Sequence, residues 1–199
     1  VEITNNQTRI NDAKVDPYGG IVFGTYNEDP DKVKRKPIAN LYRLAPNLSL
    51  TQLLSNITVS NGIAFSENEN IMYFADTPTG RIQKFEYTKN FNKFYELETN
   101  MIFKNVGEPD GATVDIDNNY WSARVRGKCI ICVDTKYEKI IEKISLPTNT
   151  PTCVTFGCTN LNSLYITSLR ADPISDNEDG NLHKIETSTQ GRAQLLTDI

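Results

Sequence analysis

The sequence predicts an all-β fold of the β-propeller type, and two observations support this prediction. The first is a repeat: polar residues that open an apolar segment recur at intervals of 50, 49 and 42 residues, at Asn11, Asn61, Asp110 and Thr152. A period of roughly 40–50 residues built from short strands is typical of a propeller with one four-stranded blade per repeat. The second is the pattern within each repeat, which alternates at period two and is rich in Tyr, Phe, Ile and Val.

The predicted strands follow one another in four groups. The clearest is the second group, in which Asn61 and Gly62 open one strand, a second strand ends at Asp76, and a turn at 77–80 leads into a third. The same order of segments recurs at 11–16, 23–25 and 41–44, at 110–115, 120–123 and 130–133, and at 152–157, 164–168 and 182–185. At about 47 residues per repeat, we expect residues 1–199 to form one propeller domain with about four blades.

The residue that opens each repeat carries a side-chain oxygen. The innermost strands of a propeller surround its central channel, so four openers from four blades are expected to converge on one axial point. Asn11 and Asn61 are amides and Asp110 is a carboxylate, the groups that a hard divalent cation accepts as ligands. The repeat therefore predicts a cation site on the channel axis.

Composition and charge exclude some classes of partner. The formal net charge of −4 and the sequence pI near 5.1 argue against nucleic acid. The basic run at 32–36 lies between Pro30 and Pro37, and we expect it to form a solvated loop. No apolar run approaches 18 residues, so neither a membrane-spanning helix nor a membrane partner is expected. The sequence does not determine an oligomeric state.

Four cysteines are spaced in a way that superficially suggests zinc. Cys129 and Cys132 lie three apart in a predicted strand, where their side chains face opposite sides, so one strand cannot offer both to one ion. We expect buried free thiols, and a disulfide between Cys153 and Cys158 is left open. Few, irregularly spaced cysteines favour the cytoplasm. Secretion stays open because N-x-[ST] triplets begin at Asn6, Asn47 and Asn56.

Several motifs resemble the gluconolactonase/regucalcin (senescence marker protein) family, to which the insect luciferin-regenerating enzyme also belongs. Each motif is short, but the set runs in family order over about residues 9–172. The matching segments include Arg9-Ile10-Asn11-Asp12, Ser60-Asn61-Gly62-Ile63-Ala64-Phe65-Ser66, Tyr73-Phe74-Ala75-Asp76, Pro109-Asp110-Gly111 and Leu164-Tyr165-Ile166-Thr167-Ser168. The resemblance implies a six-bladed propeller that binds one divalent cation (Ca²⁺, Zn²⁺, Mn²⁺ or Mg²⁺) and hydrolyses sugar lactones. On this basis we expect the chain, which starts at Val1, to be part of a longer propeller.

The resemblance also implies which residues bind the cation. The family uses a Glu of its first blade, the Asn of the S-N-G motif and the Asp of the P-D-G motif. The last two correspond to Asn61 and Asp110, whereas the Glu has no counterpart in this sequence. Two positions depart from the family, since Ala13 and Cys158 stand where the family has glycine.

Substrate contacts of the family fall on the R-x-N-D motif and on an acidic residue soon after the following G-T. They correspond to Arg9 and Asn11, and to either Glu28 or Asp29. In the implied mechanism Asp110 binds the cation and takes a proton from the attacking water. Arg9 donates to substrate oxygens, and Asn11 forms hydrogen bonds with sugar hydroxyls. The substrate would be a small lactone.

Other readings stay open beside this one. The chain could be a propeller that binds Ca²⁺ or a partner without catalysis, because a fold does not fix a function, or a fragment without activity. Three aspartates that end strands are expected to hold turns rather than a metal: Asp16, Asp76 and Asp115. A triad based on His183, the single histidine, is not expected.

Overall fold

The computed structural model contains four antiparallel sheets and, among the residues it describes, no α-helix. It describes residues 2, 6–31, 33–66, 68, 70–89, 94–170 and 178–199. The strands are β1 (Thr8–Val15), β2 (Ile21–Asn27), β3 (Ala39–Leu44), β4 (Leu50–Ile57), β5 (Ser60–Ser66), β6 (Ile71–Asp76), β7 (Ile82–Glu86), β8 (Glu96–Leu97), β9 (Glu108–Val114), β10 (Tyr120–Val125), β11 (Cys129–Asp134), β12 (Lys139–Ser145), β13 (Pro151–Gly157), β14 (Ser163–Ser168) and β15 (Leu182–Glu186). The prediction of an all-β chain is confirmed.

Each sheet is one blade, in which consecutive strands pair side by side. Blade I is β1–β4, blade II is β5–β8, blade III is β9–β12, and the described strands of blade IV are β13–β15. The first strands of neighbouring blades contact one another, β1 with β5, β5 with β9 and β9 with β13. They therefore surround a common axis, and the predicted four-blade propeller arrangement is confirmed.

The apolar core lies between the blades because alternate side chains of a strand face opposite sides of its sheet. One cluster joins blades I and II, one joins II and III, and one joins III and IV. Cys129 packs in the second of these clusters and Cys132 in the third. The prediction that the two thiols face opposite sides is thus confirmed. All four cysteines are free, so Cys153 and Cys158 form no disulfide.

The aspartates that end strands hold turns, as the sequence predicts. Asp16 Oδ1 accepts hydrogen bonds from the backbone N–H groups of Tyr18 (2.8 Å) and Gly20 (3.0 Å). Asp76 accepts from the backbone N–H of Val59 at 2.8 Å. Asp115 accepts from two backbone N–H groups of its own turn and from the Trp121 indole at 2.8 Å. These carboxylates fix the ends of the strands.

The segment at 191–199 crosses the axis at the end where the first strands finish. The Arg192 guanidinium donates to the backbone oxygen of Asp115 in blade III at 2.8 Å. The backbone N–H of Asp198 donates to Gly19 in blade I at 3.0 Å. The opposite end of the channel, where the first strands begin, contains the candidate site.

A helix that could span a membrane is absent from the described part of the chain.

Candidate functional site at the channel mouth

A β-bulge near the start of each first strand marks this end of the channel. The extra residue is Asn11 in β1 and Thr152 in β13, and it falls within 62–63 in β5 and 110–111 in β9. A bulge bends its strand and re-aims the side chains beside it. The same irregularity in four blades turns the openers of the repeat toward the axis.

A cavity of about 890 Å³ opens at this end, and all four openers line it: Asn11, Asn61, Asp110 and Thr152. Its volume is in the range of sites that hold small molecules, roughly 300–1,000 Å³. Thr77 and Asp12 also line the cavity, together with a rim that includes Arg9, Tyr26, Arg35 and Arg126. Residues far apart in the chain therefore share one concave site.

A chain of hydrogen bonds links the openers of blades I and II to the backbone of blade III. Asn11 Nδ2 donates to Asn61 Oδ1 at 3.0 Å and to the Ser60 backbone oxygen at 2.8 Å. Asn61 Nδ2 donates to Thr77 Oγ1 at 2.7 Å. The Thr77 hydroxyl donates in turn to the Pro109 backbone oxygen at 2.8 Å. Asn61 is 5% exposed, so this network fixes the direction in which its side-chain oxygen points.

Two carboxylates share the cavity, and both have raised pKa values. Burial, together with the nearby charge of Asp12, raises the pKa of Asp110 to about 7, against a smaller lowering by the Gly111 N–H. Burial also raises the pKa of Asp12 to about 6, although Asp12 Oδ2 accepts a hydrogen bond from the Ile63 N–H at 3.0 Å. Raised values mean that the site holds more negative charge than its surroundings stabilise.

This electrostatic state fits a divalent cation. The carboxylates of Asp12 and Asp110 and the amide oxygen of Asn61 are hard oxygen donors, and a positive ion would relieve the uncompensated charge of the two acids. In the described residues no three His, Cys, Asp or Glu side chains form a cluster that could hold an ion unaided. The amide oxygen and substrate or water oxygens would therefore complete the coordination. Glu2 does not line the cavity, because its carboxylate bonds Tyr42 and neighbouring polar groups of blade I.

The rim on the side of blade I is built around Tyr26. Arg9 donates to the Tyr26 hydroxyl at 2.6 and 2.9 Å, and its Nε lies 3.0 Å from Glu28. Glu28 and Asp29 do not line the cavity. Glu28 is connected to the cavity through Arg9, while Asp29 Oδ1 accepts from the backbone N–H of Asp31 within its own loop. Direct contact of either acid with substrate stays a prediction.

Sequence reasoning missed several residues of the site. Asp12 belongs to the R-x-N-D motif, but only the packing of β1 against β5 of the next blade reveals its contact with Ile63. Thr77 lies in a segment that reads as a plain turn. Arg35 belongs to the basic run predicted to be a solvated loop; Val33, Lys34 and Lys36 are exposed as expected, whereas Arg35 is half-buried and lines the cavity. Lys32 lies outside the described residues.

The two departures from glycine behave differently. Ala13 has no positive φ, so the alanine is accommodated in the regular part of β1. Cys158 has φ 68°, the left-handed region that favours glycine.

At Gly62, φ is 65° and a side-chain Cβ would lie 2.4 Å from the Tyr120 hydroxyl. Glycine after Asn61 is therefore required both by backbone conformation and by space.

Comparison with known proteins identifies the family whose members this chain resembles. Residues 1–170 match the family model described as the SMP-30/Gluconolactonase/LRE-like region. The chain is 35% identical over 161 residues to YvrE of Bacillus subtilis, provisionally named a sugar lactone lactonase, covering 80% of this chain and 54% of that protein. It is 31% identical over 169 residues to regucalcin of Danio rerio, covering 81% and 54%.

A solved structure of luciferin-regenerating enzyme superposes with a TM-score of 0.85 at 28% identity, covering 100% of this chain and 67% of that chain. The chain thus spans about half the length of the two curated relatives it is compared with.

Proposed function

Because the chain belongs to the SMP-30/gluconolactonase/LRE-like family, we propose that it carries the active site of a divalent-cation-dependent hydrolase of sugar lactones. The reaction adds water to the carbonyl carbon of a cyclic ester and opens the ring to a hydroxy acid. The observation that supports this proposal most directly is one cavity lined by Asn61 and Asp110, from neighbouring blades, together with Asp12. The name of the Bacillus subtilis relative points to the same substrate class.

Asn61, Asp110 and Asp12 are the residues that would hold the cation. When bound, the cation would polarise the lactone carbonyl and lower the pKa of the attacking water. Asn61 adds an oxygen donor without charge, and its orientation is set by Asn11 and Thr77 on either side. The protein thus supplies a fixed set of oxygens, so little reorganisation is needed when substrate binds.

Asp110 is the proposed general base. Gly111 N–H holds Asp110 Oδ1 at 3.0 Å, which orients the carboxylate in the cavity. As the water oxygen attacks the carbonyl carbon, Asp110 accepts the proton that the water loses. The bond between that carbon and the ring oxygen then breaks, and the departing oxygen takes this proton back from Asp110 to become a hydroxyl.

Arg9 and Asn11 are placed to bind the sugar. Asn11 Nδ2 is engaged with the backbone of Ser60 and the side chain of Asn61, so its side-chain oxygen is the group offered to a sugar hydroxyl. Arg9 is exposed at the rim and presents a planar set of donors beside Tyr26. These two side chains would orient the lactone ring over the acids.

The experiment is a proton-release assay of glucono-δ-lactone hydrolysis by the purified protein. Activity should require Ca²⁺, Zn²⁺, Mn²⁺ or Mg²⁺, disappear with a chelator and return when the cation is restored. Cation binding measured by calorimetry without any lactone turnover would overturn the proposal and assign the chain to the class of non-catalytic cation-binding propellers.

A further inference from the structure

Two guanidinium groups flank a single aromatic ring at the rim of the cavity. The Arg9 Cζ lies 5.3 Å from the centre of the Tyr26 ring, and the Arg35 Cζ lies 5.6 Å from it. All three side chains line the cavity. This arrangement concentrates positive charge at one side of the rim, which favours a negatively charged ligand there.

Only one of the two cations has such a charge within the described part of the protein. Arg9 is paired with Glu28 at 3.0 Å. The other described ion pair of this loop joins Lys34 to Asp31 at 2.8 Å, and Arg35 belongs to no ion pair among the described residues. Arg35 Nε donates to the Asp29 backbone oxygen at 2.8 Å. This bond orients the guanidinium while its two terminal nitrogens keep their donors for a ligand.

The loop that carries Arg35 is held in place by a series of side-chain bonds to the backbone. The N–H of Asp29 donates to Asn27 Oδ1 and the N–H of Asp31 to Asp29 Oδ1, both at 2.9 Å. Asn27 Nδ2 also donates to the Lys36 backbone oxygen at 3.0 Å, which closes the loop around Arg35. Arg35 is therefore pre-oriented toward the cavity, and a ligand would not have to order it.

The charge across the cavity is polarised. Asp12 and Asp110 lie near the axis, whereas the uncompensated cation lies at the rim of blade I. On the far rim, Arg126 also lines the cavity, but it is paired with Glu108. A ligand whose lactone carbonyl lies over the two axial acids would therefore place a remote substituent on one of two sides. One side has the Arg126–Glu108 ion pair, which carries no net charge, and the other has Arg35.

We propose that Arg35, supported by Arg9, binds an anionic substituent of the substrate, so that the natural substrate is a sugar lactone carrying a phosphate or a carboxylate remote from the ring ester. That the substrate is a lactone rests on the proposed function, whereas its negative charge is inferred from the Arg35 guanidinium, which forms no ion pair with the described residues. Phosphate and carboxylate share the chemistry that terminal guanidinium nitrogens recognise, two parallel charge-assisted hydrogen bonds.

The kinetic test compares three substrates of the protein loaded with its cation. They are 6-phosphoglucono-δ-lactone, glucaro-1,4-lactone, which carries a carboxylate, and the neutral glucono-δ-lactone. Arg35→Ala should raise KM about 10-fold or more for an anionic substrate and about 2-fold or less for the neutral one, with kcat changed little. The matched control is Lys36→Ala, which removes one positive charge from the same loop outside the cavity and should change neither.

The preferred anionic substrate identifies the substituent. Equal effects of Arg35→Ala on all three substrates, or no effect on any, would overturn the inference. Because the variant could distort the loop, Arg35→Lys serves as a second one: it keeps the charge without the planar fork and should restore part of the anionic preference.

Equilibrium binding separates this inference from the proposed function. The open-chain acids 6-phosphogluconate, glucarate and gluconate need no turnover, and calorimetry should show tighter binding of at least one of the first two, lost in Arg35→Ala. If no lactone is hydrolysed but this preference is present, the anion site stands and the hydrolase does not. If lactones are hydrolysed and the three acids bind equally, the hydrolase stands and the anion site is wrong.

Discussion

Asn11 donates a hydrogen bond of 3.0 Å to Asn61, although the two residues lie fifty positions apart and in different blades. The bond joins the openers of two successive repeats. Asn61 in turn donates to Thr77, and Thr77 donates to the Pro109 backbone oxygen of blade III. Three blades are thus tied together at the point where a cation ligand is expected. The polar network sets the positions of Asn11 and Asn61 relative to each other and to the start of blade III.

Asp110→Asn should abolish most of the proposed lactonase activity. The amide keeps the size of the carboxylate but cannot accept a proton from water, so we expect kcat/KM to fall at least about 100-fold. The same proton-release assay measures it. Asp117→Asn, an exposed carboxylate in the turn between β9 and β10, should leave kcat/KM unchanged; equal losses in both variants would contradict the assignment.

Thr77→Val should weaken cation binding without unfolding the protein. Valine has nearly the shape of threonine but can neither accept from Asn61 nor donate to Pro109, so the ligand oxygen loses its fixed direction. Loss of such a supporting bond costs about 10–100-fold in metal affinity, which calorimetric titration of the cation measures. Thr51→Val, on the exposed face of β4, is the control. Unaltered affinity in Thr77→Val would show that the network does not orient Asn61.

Asp110→Asn should also stabilise the cation-free protein, with a defined pH dependence. The pKa of Asp110 is raised in the folded state from 3.8 to about 7, so its contribution to stability is present below about pH 4 and is lost as pH rises to about 7. Asparagine removes this loss, which gives the variant an advantage of about 1–4 kcal/mol at pH 8 that shrinks to near zero by pH 4.

Thermal unfolding in a chelator at pH 4, 6 and 8 checks this pH dependence. Added divalent cation should stabilise the unsubstituted protein much more than the variant. An advantage of equal size at all three pH values would mean that Asp110 is not the group responsible.

Asp16→Ala should destabilise blade I strongly. The Asp16 carboxylate is buried, and it bonds Arg43 Nε at 2.5 Å and the Tyr87 hydroxyl at 2.7 Å. Removing this carboxylate takes one charged partner away from the buried Arg43 guanidinium, which costs about 3–5 kcal/mol. Urea denaturation measures the change. Lys184→Ala breaks the exposed ion pair with Glu186 and should cost less than about 1 kcal/mol.

Cys158→Gly should stabilise the protein by about 1 kcal/mol, because glycine adopts the φ of 68° at this position without the strain of a Cβ. Cys158→Ala removes the thiol and its contact with Tyr165 but keeps the Cβ, so it should give no gain. Differential scanning calorimetry of the two variants distinguishes backbone strain from loss of the thiol. A gain in both, or in neither, would contradict the argument.

The sequence alone determined the fold class and the openers of the site. Strand pairing within a blade joins segments that are neighbours in the chain, so the period of the repeat and its alternation contain the information needed to predict four blades. The same alternation correctly separated Cys129 from Cys132, and the position of Asp16 at a strand end correctly predicted a turn. These features depend on local spacing.

Only the tertiary structure decided how the site is assembled. The Asp12 carboxylate accepts a hydrogen bond from the Ile63 backbone of the next blade. The Arg35 side chain, which belongs to a basic loop, lies beside Tyr26 at the cavity. Such contacts depend on how one blade packs against the next and on how the loop between β2 and β3 folds. The local pattern of residues predicts neither. Burial and charge at the axis have the same origin, since the pKa of Asp110 depends on Asp12, a residue ninety-eight positions earlier.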